Sequence, residues 1–407
     1  MGSMPGFEPE TPAFRGKVLD TSANKTNGLN RCPSCGSTEI SPVYGTYDLV
    51  CGHCRQSWTG TSLEVEQGLG EGIHALKGRV TASGAARITD TSTLVTLKCG
   101  GCGAEVVINT ATGHQRRCHW CRQTLSLDAQ VPNGAVPDGI LPFYVSWEQA
   151  VGHVKQFLAK RSYFASDDFK RNFIPHNVVG VYLPYLVVDG NIRARLDGHG
   201  EILKKTYKKL FDDKTVYYDA NAYRVYREFD LVVDDLIVES SSHRAAIDPL
   251  VNTNNVVNAI LPFDVKNMVA FESNFIGEFT SEKRDLDIEH ALERVQGKFM
   301  TLARQKVVEH IGHYNRGVRW DAEQLVVHGT RWVSVYLPVW LYSHYERQPD
   351  GKWMLHYIAV NGRNGQTMGS VPFQKSKLLG LALVIGGSTG AAALLLLVVA
   401  LLVAATG

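Results

Sequence analysis

All eight cysteines of this 407-residue chain fall into Cys-x2-Cys pairs, and those pairs are themselves paired. Cys32-Pro33-Ser34-Cys35 is followed fifteen residues later by Cys51-Gly52-His53-Cys54, and Cys99-Gly100-Gly101-Cys102 is followed at the same interval by Cys118-His119-Trp120-Cys121. A Cys-x2-Cys turn aims two thiolates at one point, and a second such turn at the tip of a facing hairpin completes a tetrahedral S4 shell. The expectation is therefore two structural zinc sites, one held by Cys32, Cys35, Cys51 and Cys54, the other by Cys99, Cys102, Cys118 and Cys121. A disulfide framework is excluded because thiolates bind zinc only while reduced. The first thirty residues also contain no apolar stretch of the signal-peptide type, so the bulk of the chain is expected in the cytosol.

A set of zinc ribbons does not fill 407 residues, and with 44% apolar and 20% charged residues most of the chain is expected to bury ordinary cores. Residues 1–30, rich in Pro, Thr, Asn and Gly, read as a flexible tail. The first ribbon covers 31–60, with Tyr44 to Val50 as a strand and Trp58 packed on the metal core. Residues 61–93 form a Gly-rich linker with one hairpin, and the second ribbon covers 94–128, with Glu105 to Asn109 as a strand. Each ribbon is too small to fold without its metal.

Beyond a Pro/Gly-rich stretch at Pro132 to Asp138 the chain echoes itself. Ile140-Leu141-Pro142-Phe143 returns as Ile260-Leu261-Pro262-Phe263, and Val181-Tyr182-Leu183-Pro184 returns as Val335-Tyr336-Leu337-Pro338. An amphipathic segment lies between the two marks of each copy, Trp147 to Lys160 and Asp287 to Tyr314. Strand-like runs interrupted by Asp189-Gly190 and Asp350-Gly351 follow, and residues 215–240 add further strands to the first copy. The pattern predicts a duplicated α+β domain, 138–250 and 251–376.

From Leu378 to Ala405 no charged residue occurs over 28 positions. As a helix this run would be about 42 Å long, more than the roughly 30 Å of a hydrocarbon core, so a single tilted transmembrane helix is expected. Lys375 and Lys377 precede it, which by the positive-inside bias keeps the N-terminal domains cytoplasmic and predicts a tail-anchored, single-pass cell-membrane protein. Gly386-x3-Gly390 offers a face for homo-oligomerisation within the span. The predicted fold class is thus multidomain: two small β zinc ribbons, a duplicated α+β domain, and one C-terminal transmembrane helix.

Catalytic signals are weak. Four thiolates close a zinc shell and leave no position for a reactive water. There is no His-Glu-x2-His motif, and no Gly-x4-Gly-Lys-[Ser/Thr] loop to drive a helicase. Gly68-x-Gly70-x-Gly72 lacks the strand and spacing of a dinucleotide fingerprint. His310-Ile311-Gly312-His313 matches the signature of class I aminoacyl-tRNA synthetases, but falls late in a predicted helix without a Lys-Met-Ser-Lys-like partner. Asp167, Asp168, Asp234, Asp235, Asp285 and Asp287 read as caps and surface acids. His53 and His119 sit inside knuckles whose four cysteines already suffice. The net charge is +2, and residues 1–130 hold 12 Lys+Arg against 11 Asp+Glu. That balance argues against nucleic acid as the main partner. The one local exception is Arg116, Arg117, His119 and Arg122 around Trp120, where a phosphate or base could dock.

The paired cysteines, the Leu-Pro-Phe and Tyr-Leu-Pro marks and the terminal apolar run together resemble a family of bacterial, in particular actinobacterial, membrane proteins with a transcription-factor-IIB-type zinc ribbon, often named after a primosomal helicase on the ribbon alone. The second copy carries the closest likeness: Leu261-Pro262-Phe263-Asp264, Phe275-Ile276-Gly277-Glu278-Phe279, Ser281-Glu282-Lys283, the long helix, then Val335 to Trp340. Some members are similar to envelope-stress proteins that act with a phage-shock-protein-A-like partner and a flotillin-like (SPFH) protein. Closed metal shells, near-neutral charge and the missing catalytic loops together lead to a non-enzymatic, membrane-anchored adaptor, expected in envelope stress or membrane homeostasis, that recruits protein partners through its ribbons. The alternative is a membrane-tethered nucleic-acid-binding or transcription- or replication-associated factor.

Overall fold

The computed structural model describes residues 17–19, 32–82 without 38, 85, 94–98, 105–109, 117–119, 122, 130–131 and, with short gaps and without 242–259, residues 137–372. Among the described residues strand predominates, at 48%, over four named α-helices. The N-terminal elements are β1 (Lys17–Leu19), β2 (Ile40–Pro42), β3 (Asp48–Cys51), β4 (Ser57–Thr59), α1 (Leu63–Gln67), β5 (Gly78–Ala82), β6 (Leu94–Lys98), β7 (Glu105–Asn109) and β8 (Gln130–Val131). The body follows as β9 (Gly139–Ile140), α2 (Trp147–Lys160), α3 (Asp167–Arg171), β10 (Val178–Lys209), β11 (Asp212–Glu239), β12 (Val269–Ala270), β13 (Thr280–Glu282), α4 (Ile288–Ile311), β14 (Val318–Arg347), β15 (Trp353–Asn361) and β16 (Thr367–Gly369).

Three strands set the architecture. β10, β11 and β14 run for 32, 28 and 30 residues, several times the usual five or six, and pair antiparallel in the order β11-β10-β14 as the spine of a curled half-barrel. Their burial changes along their length for a reason legible in β10. From Val181 to Val188 every side chain is buried, because odd residues such as Leu183 and Val187 face one core while Tyr182 and Leu186 face others on the opposite side. From Asn191 onward the pattern alternates: Ile192, Ala194 and Leu196 are buried, while Arg193, Arg195 and Asp197 lie on the outer face. That outer face is neutralised by cross-strand pairs, Arg193 with Asp230 at 2.7 Å, Arg195 with Glu228 at 2.9 Å and Arg224 with Asp197 at 2.6 Å.

The inner face of this half is covered by α4. Asp287 caps the helix by accepting from the His290 N–H, and Ile288, Ala291, Val295, Phe299, Ala303 and Val307 recur at intervals of three and four to form its buried stripe. α2 starts with a Ser146/Gln149 capping box and buries Ala150, Val151, Val154 and Phe157 against the other end of the sheet. Both helices occupy the segments expected from their periodicity.

The expected fold class is corrected in two respects by the pairing of the strands. The two Tyr-Leu-Pro marks do not head separate α+β units, because they are neighbours in one sheet, paired antiparallel with Leu183 opposite Leu337 and Tyr182 opposite Pro338. Two runs that are apolar on both faces bury each other's edges most completely side by side. The strands of the second ribbon are not confined to a separate small sheet: β7 pairs with β13, Ser281 opposite Val107, and β13 in turn lies parallel to β10, so β6, β7 and β8 extend the main sheet. The first ribbon alone keeps its own sheet, β2-β3-β4.

Asp189-Gly190, expected to break a hairpin, lies inside β10 at a β-bulge. A Cβ added at Gly190 would sit 2.5 Å from the Phe299 ring, so this glycine admits α4 rather than a turn. The other break, Asp350-Gly351, lies outside the described residues, though the strands flanking it pair with Arg347 opposite Trp353.

The single-pass membrane assignment is also corrected. Among the described residues no helix is long and apolar enough to cross a membrane. The longest, α4, carries charges such as Arg294, Lys298 and Arg304. Residues 378–405 lie outside the described residues.

Candidate metal centre

The first four cysteines come together. Cys32 and Cys35 occupy the turn before β2, and Cys51 and Cys54 the turn between β3 and β4. Their four sulfurs lie within 4.8 Å of one another, with Cys32 Sγ 3.5 Å from Cys54 Sγ and Cys35 Sγ 3.7 Å from Cys51 Sγ. A regular tetrahedron around a metal with Zn–S bonds of about 2.3 Å has edges of about 3.8 Å, so the cluster matches a shell that can hold one metal ion. The cysteines are free thiols and not disulfides.

Local backbone geometry creates this convergence. The N–H of Gly36 returns to the Cys32 carbonyl at 2.9 Å, and the N–H of Arg55 returns to the Cys51 carbonyl at 3.0 Å. Both residues are left-handed, at φ 72° and 64°. The knuckle N–H groups then point at sulfur. Those of Cys54 and His53 lower the Cys51 thiol to about 6. Cys54 is drawn down by the Gln56 N–H, but burial and the neighbouring sulfurs outweigh this and push it up to about 12. Four thiols sharing so small a volume cannot all ionise together unless a cation sits among them. All four positions of the shell are filled by protein, which leaves no site for a bound water.

Of the second set, Cys118 is described and fully buried, whereas Cys99, Cys102 and Cys121 lie outside the described residues. The Arg122 N–H returns to the Cys118 carbonyl at 2.9 Å with φ 63°, the same turn as at Cys51. His119 is turned into the sheet, its Nδ1 3.4 Å from Thr280 Oγ1 and its Nε2 3.8 Å from a Glu282 oxygen. Arg122 is half-buried and Arg117 exposed, while Arg116 and Trp120 lie outside the described residues. The expected basic cluster therefore has two members drawn inward.

The first ribbon is seated on the body. Its Ile40 and Leu49 belong to the same buried cluster as Phe143, Phe275 and Trp340, and Tyr47 and Trp58 pack against that cluster. Arg363 locks the contact, with its guanidinium forked onto Asp264 at 2.8 and 2.7 Å, donating to the Pro142 carbonyl at 3.0 Å and to the Tyr47 hydroxyl at 2.5 Å. Sequence reasoning missed this clamp, because Tyr47, Asp264 and Arg363 are far apart in the chain and no spacing links them, although Asp264 ends the Leu261-Pro262-Phe263-Asp264 mark. Substituting Arg363 with leucine removes a charged hydrogen-bonding hub whose acceptor Asp264 is half-exposed and can rehydrate. The expected cost is about 2 kcal/mol, read as a lower denaturation midpoint together with faster hydrogen exchange in β2 to β4.

A second titratable cluster lies at the β10–β11 bulge itself. Asp189, Asp234 and Asp235 carboxylates approach within 4.8 Å of one another beside a cleft lined also by Glu64 and Lys266. Asp189 is buried, accepts the Asp235 N–H at 3.1 Å and lies 3.7 Å from Arg331. Burial first, then Asp234 and Asp189, raise Asp235 to about 7. An unfolded aspartate titrates near 3.9. The native state therefore holds the proton more tightly, and the associated stability is present below pH of about 4 and lost as pH rises through about 7. Wild type should lose more thermal stability between pH 5 and pH 8 than Asp235→Asn, in which the left-handed φ of 57° remains acceptable to asparagine. Equal slopes in calorimetry would contradict this assignment.

No family model, curated protein or solved structure matches the chain. The functional reading accordingly rests on the site itself.

Proposed function

We propose that the protein is a non-enzymatic adaptor in which zinc-ribbon knuckles, held on a rigid β body, form a docking surface for another protein. The observation that carries the reading is the seating of the ribbon. Its apolar side is continuous with the body core, while the knuckle tips, including Pro33, Ser34, Cys35, His53, Cys54 and Arg55, are exposed. A closed sulfur shell supplies rigidity without a reactive position, and a fixed ribbon presents its outer face at low ordering cost. The metal is zinc, the ion suited to four thiolates in tetrahedral array. A second zinc held by Cys99, Cys102, Cys118 and Cys121 is part of this proposal, supported by the turn shared between Cys51 and Cys118. The partner classes implied by the family resemblance are phage-shock-A-like and SPFH proteins.

The test is photo-crosslinking from a benzoylphenylalanine placed at His53 in cells, with the adduct identified by mass spectrometry. A discrete protein adduct that disappears when Cys51 is replaced by serine supports the adaptor. An adduct that is nuclease-sensitive, or one unchanged by loss of the metal, overturns it. Metal analysis should return two zinc ions per chain.

A further inference from the structure

β11 is paired along its length with β10 and with no other described strand, so over residues 219–233 its outer edge faces no described strand. Long edges of this kind accept another strand unless they are short, bulged away or interrupted by proline. Residues 212–239 contain no proline, and the bulge at Asp234–Asp235 leaves 219–233 as an uninterrupted stretch of that edge. The strand also gathers exposed apolar and aromatic surface, with Val216, Tyr218, Tyr223, Tyr226 and Val232 between 41% and 61% exposed.

We propose that this edge is a self-recognition site, at which two copies of the chain pair β11 against β11 antiparallel about a two-fold axis through Tyr226. An axis perpendicular to the sheet keeps each face continuous, because every residue then meets one of the same parity. Centred on Tyr226, the register sets Arg224 of each copy opposite Glu228 of the other, and Tyr223 opposite Phe229. Tyr226 meets its own counterpart. No like charges face each other between residues 219 and 233, the stretch of β11 on the near side of the Asp234–Asp235 bulge.

Neighbouring registers are worse. Centres at Arg224, Arg227 or Glu228 place a charge against itself, and a centre at Val225 forms no ion pair. The outer-face charges already alternate in sign within the chain, through Arg224 with Asp197 and Glu228 with Arg195, so the second copy continues an existing ladder. The two half-barrels become one sheet with both α4 helices on the same face, and each assembly carries two copies of the metal ribbon, which makes docking bivalent.

The test uses the full-length, zinc-loaded chain. Tyr226→Cys should form a covalent dimer on mild oxidation. Tyr218→Cys should not, because its two copies would stand roughly 50 Å apart along the paired strands at about 3.3 Å per residue. A mixture of Arg224→Cys and Glu228→Cys chains should cross-link with each other, and neither should do so alone. Sedimentation equilibrium of the wild type should fit a dimer. A monomer at every concentration, cross-linking of Tyr218→Cys equal to that of Tyr226→Cys, or dimerisation that survives without any of the specific cross-links would overturn the proposal. None of these readings depends on the adaptor function.

Discussion

Replacing Cys51 with serine will remove the metal from the first site and unfold residues 32–59 while leaving the long strands paired. Cys51 is fully buried, and the ribbon contributes only Ile40 and Leu49 as buried aliphatic core beneath its cysteines. So small an apolar core cannot offset the chain entropy of ordering the segment, and apparent binding free energies of about 10–16 kcal/mol for structural zinc are of the size needed. Hydrogen exchange should show protection lost across β2 to β4 and retained in β10 and β14, with metal content reduced by one ion per chain. The body should also weaken, because Tyr47 and Trp58 cease to cover Phe143 and its neighbours. Retention of ribbon protection without metal would show that the core, and not the ion, holds the fold.

Truncating Phe299 to alanine will cost about 3–5 kcal/mol, among the largest effects of any single core substitution in this chain. The ring is fully buried at the middle of α4, the helix that covers the inner face of the β10–β11–β14 arm, and it rests directly over Gly190. The same contact predicts strong coupling. Gly190→Ala in the wild type drives a methyl into the Phe299 ring and destabilises, whereas in the Phe299→Ala background that methyl enters vacated space. A double-mutant cycle by chemical denaturation should give an interaction energy on the order of 1–3 kcal/mol, with the second substitution close to neutral. Additive effects would mean that the helix shifts freely over the sheet.

These two sites also mark how far the primary sequence reaches. Spacing alone identifies Cys32, Cys35, Cys51 and Cys54 as one set, because a Cys-x2-Cys turn is local and its geometry travels with it. The same holds for α2 and α4, whose caps and apolar stripes are decided within a few turns of helix. Arg55 and Arg122, left-handed without being glycine, are less legible, since their strain is imposed by the knuckle and not announced by residue type.

Everything that depends on strand pairing was decided in three dimensions. The repeated Tyr-Leu-Pro marks were visible, but whether they head two units or lie side by side depends on which apolar faces meet, and that is a non-local choice. Gly190 reads locally as a turn and serves instead as the gap that lets Phe299 in. Asp235 acquires its raised affinity for a proton chiefly from burial in the folded sheet, with Asp234 and then Asp189 adding to it. Arg363 joins ribbon to body across more than three hundred residues of chain. The sequence by itself thus determined the first four-cysteine cluster and the helices α2 and α4, whose interactions close within a few residues. The tertiary structure decided the sheet, the clamp and the open edge of β11, because hydrogen bonds between distant strands carry no local record of their partners.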